Sequence, residues 1–449
     1  MKVLNTEQTI LRDLGNGLIL RRSTSADGQR LADFNAAIHS DDPKKPDERI
    51  GWWVRDLIEK PHPTFGVGDY TLVEEQATGR IVSSLNHISQ TWTYEGIPFK
   101  VGRPELVATL PEFRNRGLIR LQFEEIHKWS AERGEMVQAI TGIPYYYRLF
   151  GYEMCVGLDG SRSGFEMNLP RLKEGEAEPY RLRVAAEADI PFLSEVDAHA
   201  ARRSLLHVVR DEALWRYDLN GRSAKSINRL TWKIIERAAD GVRVGYLAHP
   251  EYSWGVSCPV MAYELKPGIS WLEVTPSVVR HMWEVGKTIC DGEGNTRSAF
   301  TFALAGTHPV YEVMRDNLPR QRLPYCWYLR VPDLPGFIRH IAPALERRLG
   351  ESLIPGFSGD VRISFYRSGL RLGFERGRLS LVESWQPGPK ENEGDIACPD
   401  LTFLQLVFGH RTLDELKQSR ADCWWKSDRE RLLVTTLFPR KPSLLLPIS

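Results

Sequence analysis

No stretch of this 449-residue chain approaches the roughly 18 consecutive apolar residues that a membrane-spanning helix requires. The first residues, MKVLNTEQTILRDLGNG, contain no apolar core followed by small residues, which argues against a secretory leader. An excess of one charge is also missing: 59 basic residues stand against 58 acidic ones, a formal net charge of +1. Nucleic-acid-binding domains usually carry a basic excess, so neither a nucleic acid nor a membrane is expected as a partner. The six cysteines (Cys155, Cys258, Cys290, Cys326, Cys398 and Cys423) form no CxxC pair. Scattered cysteines read as buried thiols of a reducing compartment. The expectation is a cytoplasmic protein with no disulfide, structural zinc or other metal. His127 and His281 fall in helical patterns at no metal-ligand spacing and read as structural.

What is present is an ordinary globular composition, 42% hydrophobic and 26% charged. The length is too great for one core and predicts roughly two to four domains. A faint internal repeat divides the chain. LRRSTSAD at 20–27 and LRVAAEAD at 182–189 both read as a strand running into a helix start. LVATLP and WLEVTP end in Pro111 and Pro276, and GIPYYYRLFGY and GTHPVYEVMRDNL carry Pro144 and Pro309, each pair 165 residues apart. Three matches in order predict a duplicated domain. The first copy reads as mixed α/β: the hairpin TLVEE–QATGR–IVSSLNHISQTWTY, the strand ELVATL, the amphipathic helix LIRLQFEEIHKWSAER closed by Gly134, and a buried strand MVQAIT. Beyond residue 330, LPGFIRHIAPALERRL carries a helical stripe of Phe337, Ile341 and Leu345. The strands VRISFY, LRLGFE and RLSLVESW follow, then the polar loop QPGPKENEGD and two short helical patterns.

The most informative stretch is ELVATLPEFRNRGLI, residues 105–119. Arg/Gln-x-x-Gly occurs elsewhere in this chain, but only Arg114–Gly117 joins a β-rich run directly to an amphipathic helix. A glycine there lets successive backbone N–H groups converge, and the helix N-terminus adds its own unpaired N–H groups and positive dipole end. Arg114, Arg116 and Arg120 bring positive charge. The pattern points to a pyrophosphate cradle, with a solvated basic turn as the alternative. After the next strand comes GIPYYYRLFGY, with Tyr147 four residues before Gly151.

That order of strand, Arg-x-x-Gly, helix, strand and Tyr-x-x-x-Gly-aromatic resembles the core of the GNAT superfamily of acetyl-CoA-dependent acetyltransferases. Over the whole chain it resembles the Eis-type (enhanced intracellular survival) members, most specifically in VATLPEFRNRGLIR and YYRLFGY. The fold class so implied is α/β (α+β): two tandem GNAT-like mixed-sheet domains plus a sterol-carrier-protein-like domain. The boundaries expected are 1–172, 173–328 and 329–449, with the second copy degenerate. After WLEVTP it has no Arg-x-x-Gly, and Val278-Val279 disfavours a tight loop, so it is not expected to bind coenzyme A.

The resemblance implies acetyl-CoA as co-substrate, with no metal. Val107, Ala108 and Thr109 would meet the acetyl-pantetheine end. Asn115, Arg116, Gly117, Leu118, Ile119 and Arg120 would hold the pyrophosphate, and Gly142 and Ile143 would close the far wall. Ile119 stands where many members have Gly or Ala. Tyr147 would be the general acid for the departing thiolate, and a backbone amide near Val107 the oxyanion donor. Two bases compete: the terminal carboxylate, at Ser449, and Glu105. Tyr145 and Tyr146 read as packing or cleft residues, and Asp41, Asp42, Trp52 and Trp53 as a possible cation-attracting set. The implied activity is N-acetylation of primary amines of small molecules, aminoglycoside- or polyamine-like, or of lysines. The other reading is a catalytically weak acyl-CoA- or lipid-binding protein. A homo-oligomer, hexamer or trimer, is implied by the resemblance alone.

Overall fold

The computed structural model describes residues 9–42, 44–158, 160–389 and 393–446. The first third runs β1 (Ile10–Gly15), β2 (Leu18–Arg22), α1 (Gly28–Ile38), α2 (Glu48–Glu59), β3 (Tyr70–Glu75), β4 (Ile81–Tyr94), β5 (Ile97–Thr109), α3 (Leu118–Glu132), β6 (Val137–Ile140), β7 (Glu153–Leu158) and β8 (Ser161–Phe165). Next come β9 (Tyr180–Val184), α4 (Ile190–Ala201), β10 (Leu206–Val208), α5 (Glu212–Arg216), β11 (Leu230–Arg237), β12 (Arg243–Pro250), β13 (Pro259–Val260) and β14 (Ala262–Leu265). This part closes with α6 (Trp271–Gly292), β15 (Ala299–Phe302), α7 (Val310–Val313), β16 (Arg320–Arg322) and β17 (Tyr325–Arg330). The last part holds α8 (Leu334–His340), α9 (Ala342–Gly350), β18 (Gly359–Ser364), β19 (Gly369–Glu375), β20 (Arg378–Trp385), β21 (Ile396–Ala397), α10 (Phe403–Val407), α11 (Leu413–Ser419), β22 (Trp424–Trp425) and α12 (Asp428–Leu437). The fold is α/β (α+β) with several mixed sheets, as the sequence predicts.

The first sheet has the order β1-β2-β3-β4-β5-β6-β17-β7, with β10 added beside the far end of β4. Its strand β17 comes from a segment almost 170 residues beyond β7 and lies antiparallel between β6 and β7. In return β8 leaves the first sheet and pairs with β15 and β16. The expected boundaries at 172/173 and 328/329 therefore do not separate these two sheets, because a strand crosses in each direction. Such an exchange ties two cores together through backbone hydrogen bonds.

The predicted repeat shows two faces. Arg21 pairs with Asp27, 2.7 Å, and with Glu74. At positions 162 residues further on, Arg183 pairs with Asp189, 2.6 Å, and with Glu236, 2.7 Å. In both, the arginine leaves a strand and the aspartate caps the turn into a helix, α1 or α4. WLEVTP, by contrast, is not the counterpart of the strand LVATLP. It opens α6, capped by Ser270, whose side chain accepts from the Glu273 N–H. Its β-branched residues read as strand, but Val274, Val278, Val279 and Met282 lie on one helical face and are buried. Burial of that stripe overrides local propensity. The stripe at 334–349 is likewise two helices, α8 and α9, parted at Ile341 with Pro343 in the first turn of α9.

The last part packs its helices and β18–β21 against the far end of the first sheet. Trp92, Tyr94, Phe99, Val101 and Trp327 share one core with Phe337, Leu345, Phe374, Phe408 and Leu437. Glu95, at the β4–β5 turn, pins this contact from the edge. It pairs with Arg347, 2.8 Å, Arg348, 2.9 Å, and Lys441, 2.7 Å. Burial pushes its carboxyl upward, but Arg348 and Lys441 overcome this and hold it at about 2, below its ordinary 4.5. A carboxyl depressed by folding contributes stability that is complete above its unfolded pKa and is lost as pH falls through the folded one. We therefore expect acid unfolding, followed by circular dichroism, to show a loss of stability between pH 4.5 and about 2 that is smaller in Glu95→Gln. A variant that loses stability over this window as steeply as wild type would contradict the assignment.

Candidate active site

The long strands β4 and β5 pair along their length, but their register slips once. Ser84 faces Ala108 and Asn86 faces Glu105, so Leu106 and Val107 both stand opposite Leu85. This is a β-bulge, and Leu106 takes a left-handed φ of 52° to make it. The bulge lies on the stretch of β5 that runs clear of β6. The two are paired in parallel only at Val101–Val137 and Gly102–Gln138. Past Gly102 they part, and a cleft of about 960 Å³ opens between them. Leu110 donates its N–H to Val82 O, 2.9 Å. By strand alternation the N–H groups of Val107 and Thr109 face the opposite side, toward the parting.

The loop after β5 supplies the second wall. Asn115 and Gly117 have left-handed φ values of 62° and 74°, flanking Arg116. Alternation of this kind turns consecutive N–H groups toward one point. Gly117 is the N-cap of α3 and offers no side-chain cap. The first bond back onto Gly117 O comes from Leu121, 3.2 Å. The N–H groups of Leu118, Ile119 and Arg120 thus have no partner within the helix. A Cβ on Gly117 would meet nothing within 4 Å, so its surroundings are open. Arg114 and Arg120 are exposed and pair with no carboxylate among the described residues. Arg120 lies 5.3 Å over the Phe150 ring. These donors suit a diphosphate.

The helix is held in place by a buried polar chain. Gln122 on α3 donates to Ser83 Oγ, 2.6 Å, and accepts from Thr71 Oγ1, 3.1 Å. Ser83 in turn donates to Ala108 O, 2.9 Å. One glutamine therefore fixes the helix start against β3, β4 and the cleft-lining part of β5.

The third wall is the segment after β6. Tyr145 takes a left-handed φ of 68° and leaves the chain's surface side exposed, while the next turn carries Tyr147 inward. Tyr147 is 6% exposed and sits among Phe123, Tyr146, Tyr152 and Tyr328. Its hydroxyl bonds to no described residue. Burial pushes the phenol well above its ordinary range, and the nearby Glu105 adds to this. It holds its proton at any ordinary pH. Gly142 is required by this packing, since a Cβ there would come within 2.2 Å of the Tyr147 ring. Tyr328, on the exchanged strand β17, packs on Tyr147 at 5.4 Å and donates to Ile143 O, 3.2 Å.

Of the residues expected from sequence, Val107, Ala108, Thr109, Asn115, Gly117, Leu118, Ile119, Arg120, Gly142, Ile143 and Tyr147 all line this one cleft, as does Glu105. The Arg116 side chain does not. It bonds to Glu112 O, 3.0 Å, stacks on Phe113 and lines a neighbouring recess. Trp53 lines the cleft, whereas Asp41, Asp42 and Trp52 do not. Ser449 lies outside the described residues, and Leu444, Leu445 and Leu446 line a different cavity. Sequence reasoning missed Ile38, His39, Ile50, Ile227 and Asn228, which also line the cleft. Ile227 and Asn228 belong to the turn before β11, and no local signal marks them. Glu105 is the one acidic residue of the lining. Arg103, wholly buried over the Trp327 ring, holds one of its oxygens. Burial drives Glu105 upward and Arg103 opposes it, leaving it raised. Among the described residues no cluster of His, Cys, Asp and Glu is placed to hold a metal ion, and no helix is long and apolar enough to cross a membrane.

Because Gly142 gives Tyr147 its place, Gly142→Ala should displace the ring by about 1 Å and cost about 1–3 kcal/mol of stability in denaturant unfolding. Wild-type stability in the variant would mean that the ring is not held by this contact.

The chain is similar to known proteins at two levels. Residues 21–155 match the family described as Acetyltransferase (GNAT) domain. No curated protein matches the chain. Among solved structures, a GCN5-related N-acetyltransferase from Kribbella flavida superposes with a TM-score of 0.61 at 18% identity, covering 95% of this chain and 97% of that one. A probable N-acyltransferase from Enterococcus faecalis V583 gives 0.62 at 14%, covering 95% and 98%. Eis1 from Mycobacterium abscessus gives 0.56 at 14%, again covering 95% and 98%. At these identities the likeness is one of fold. The chain thus carries a GNAT acetyltransferase domain, an enzyme domain of a kind that uses acetyl-CoA as co-substrate.

Proposed function

We propose that this protein is an acetyl-CoA-dependent N-acetyltransferase for primary amines of small molecules, aminoglycoside- or polyamine-like, with protein lysines as the less favoured acceptor. The observation that carries this reading is the parting of β5 and β6, which brings the unpaired N–H groups of Val107 and Thr109, the Asn115–Arg120 loop and Tyr147 onto one cleft. Supporting the Eis-type reading further are the repeated Arg–Asp–Glu trio, read as the mark of a duplicated domain, and a third α+β part that we read as sterol-carrier-like. A homo-oligomer, trimer or hexamer, follows from the same reading and is open to analytical ultracentrifugation.

In the proposed mechanism bound acetyl-CoA supplies the acetyl group as a thioester. The N–H groups of the Asn115–Arg120 loop and the Arg120 guanidinium hold the diphosphate. Glu105, raised by burial, accepts the proton that the ammonium must lose before its nitrogen can attack. The Val107 N–H donates to the carbonyl oxygen as that oxygen gains negative charge. As the carbon–sulfur bond breaks, the Tyr147 hydroxyl gives its proton to the departing sulfur. The nitrogen sheds its second proton as the amide forms, solvent carries it to the Tyr147 phenolate, and Glu105 gives its own proton to solvent. The terminal carboxylate at Ser449 is the rival base, separated from Glu105 by the effect of Glu105→Gln on the acid limb of the pH–rate profile.

Calorimetric titration with acetyl-CoA tests the reading. Wild type should bind, and Arg120→Glu, which places an anion at the diphosphate, should bind at least about 10-fold more weakly. Tyr147→Phe should keep wild-type affinity while release of free CoA in the presence of a polyamine falls about 100- to 10,000-fold. Binding without turnover in wild type across an amine panel would favour the acyl-CoA-binding alternative, and absence of binding would sink both.

A further inference from the structure

A second cavity, of about 670 Å³, lies away from the cleft, where all three parts of the chain meet. Its walls are β8 and the turn before β17, the Ala303–Thr307 loop, and the segments around His410 and Ser443. The floor is apolar: Met261, Leu304, Phe408 and Leu445 are all buried. Among the described residues the charges that line it are of one sign: Arg162, Arg322, Arg411, Arg440 and Lys441, with no aspartate or glutamate. In a chain with a net charge of +1 such segregation is not a consequence of composition.

Two of these cations have carboxylate partners. Arg440 pairs with Glu415, 2.5 Å, and Lys441 with Glu95, 2.7 Å. The other three have none among the described residues. Arg162 and Arg322 come from the paired strands β8 and β16; the register Gln321–Arg162 and Arg322–Ser161 sends them to opposite faces of the pair, and both border the recess because β16 is the edge strand of its sheet. Arg162 stacks 5.0 Å from the Tyr311 ring and Arg322 6.0 Å from Trp254, contacts that orient a guanidinium yet leave its N–H donors free. Arg411 joins them from the segment after α10. Like charges lining one recess repel each other, and an anion among them relieves this. The volume is that of a pocket for a small organic molecule.

We propose that this cavity binds an amphipathic organic anion, a carboxylate or phosphate head on an apolar body. Arg162, Arg322 and Arg411 hold the head, and the Met261–Leu304–Phe408–Leu445 floor takes the body. The site is independent of acetyl transfer. Since its walls come from all three parts of the chain, occupancy also clamps them and raises thermal stability by mass action.

The test uses the full-length protein with its acetyl-CoA cleft saturated by coenzyme A, titrated with 1-anilinonaphthalene-8-sulfonate and read by fluorescence. The double variant Arg322→Glu/Arg411→Glu alters two exposed residues. The expected result is saturable binding to wild type, at least 10-fold weaker in the double variant, with coenzyme A affinity unchanged. Decanoate and decyl phosphate should displace the probe, the better displacer identifying the head group, and decanol should not. Equal binding by the variant, displacement by decanol as good as by decanoate, or no saturable binding to wild type would each overturn the proposal. Should the double variant lose coenzyme A binding, Arg411→Gln alone is expected to weaken the probe at least threefold, and an unchanged affinity there would overturn it as well.

Discussion

Leu106 accepts a left-handed backbone because two residues of β5 must be fitted opposite one residue of β4. Such a conformation costs an ordinary L-residue about 1–2 kcal/mol. It persists because the residues on both sides are fixed: Ala108 by Ser83 and the β4 ladder, Glu105 by Arg103. The ladder to β6 has already ended at Gly102, two residues before Pro104, which has no N–H to donate. Beyond it the bulge keeps Ala108 on the β4 ladder and leaves the Val107 and Thr109 amides facing the parting.

β17 closes the other side of β6. β6 is only 4 residues long, and its edge away from β5 would stand exposed, which is a hazard. Tyr325–Arg330, brought back from the second part, covers that edge and joins β6 to β7. That strand also delivers Trp327 to the core beneath Arg103, and Tyr328 to the ring cluster around Tyr147. Packing, the buried ion pair and the placing of the phenol thus converge on one inserted strand. The two halves of the molecule are coupled at the site itself, not merely set side by side, and Ile227 and Asn228 of the second half line the same cleft.

How much of this could be read from residues alone depends on distance along the chain. The loop was legible because its determinants are local: Gly117 can take φ 74°, the apolar stripe of α3 begins at once, and strand, loop and helix occupy fifteen consecutive residues. Tyr147 was legible by its spacing to Gly151. Arg116 was not, since its direction is set by Glu112 O and the Phe113 ring across a tight turn. WLEVTP misled because β-branched residues at short range look like strand, whereas burial of Val274, Val278 and Val279 on one face, seen only in three dimensions, makes a helix. The strand exchange left no trace at all: YCWYLR reads equally well as an edge of either sheet.

The contrast between the two cavities carries the division of labour one step further. In the cleft between β5 and β6 the apolar and polar walls are fixed by backbone geometry, with N–H groups as the donors and one carboxylate, Glu105, among the lining. That arrangement favours charge that develops during reaction, since amides need not be desolvated anew at each turnover. In the second cavity the donors are long arginine side chains, and among the described residues no acid lines it. Flexible cations suit a ligand whose charge is permanent and whose shape can vary. One chain thus presents a rigid amide-lined cleft shaped for chemistry and an arginine-lined recess shaped for holding, with the inserted strand β17 touching both through Tyr328 on one side and Cys326 on the other.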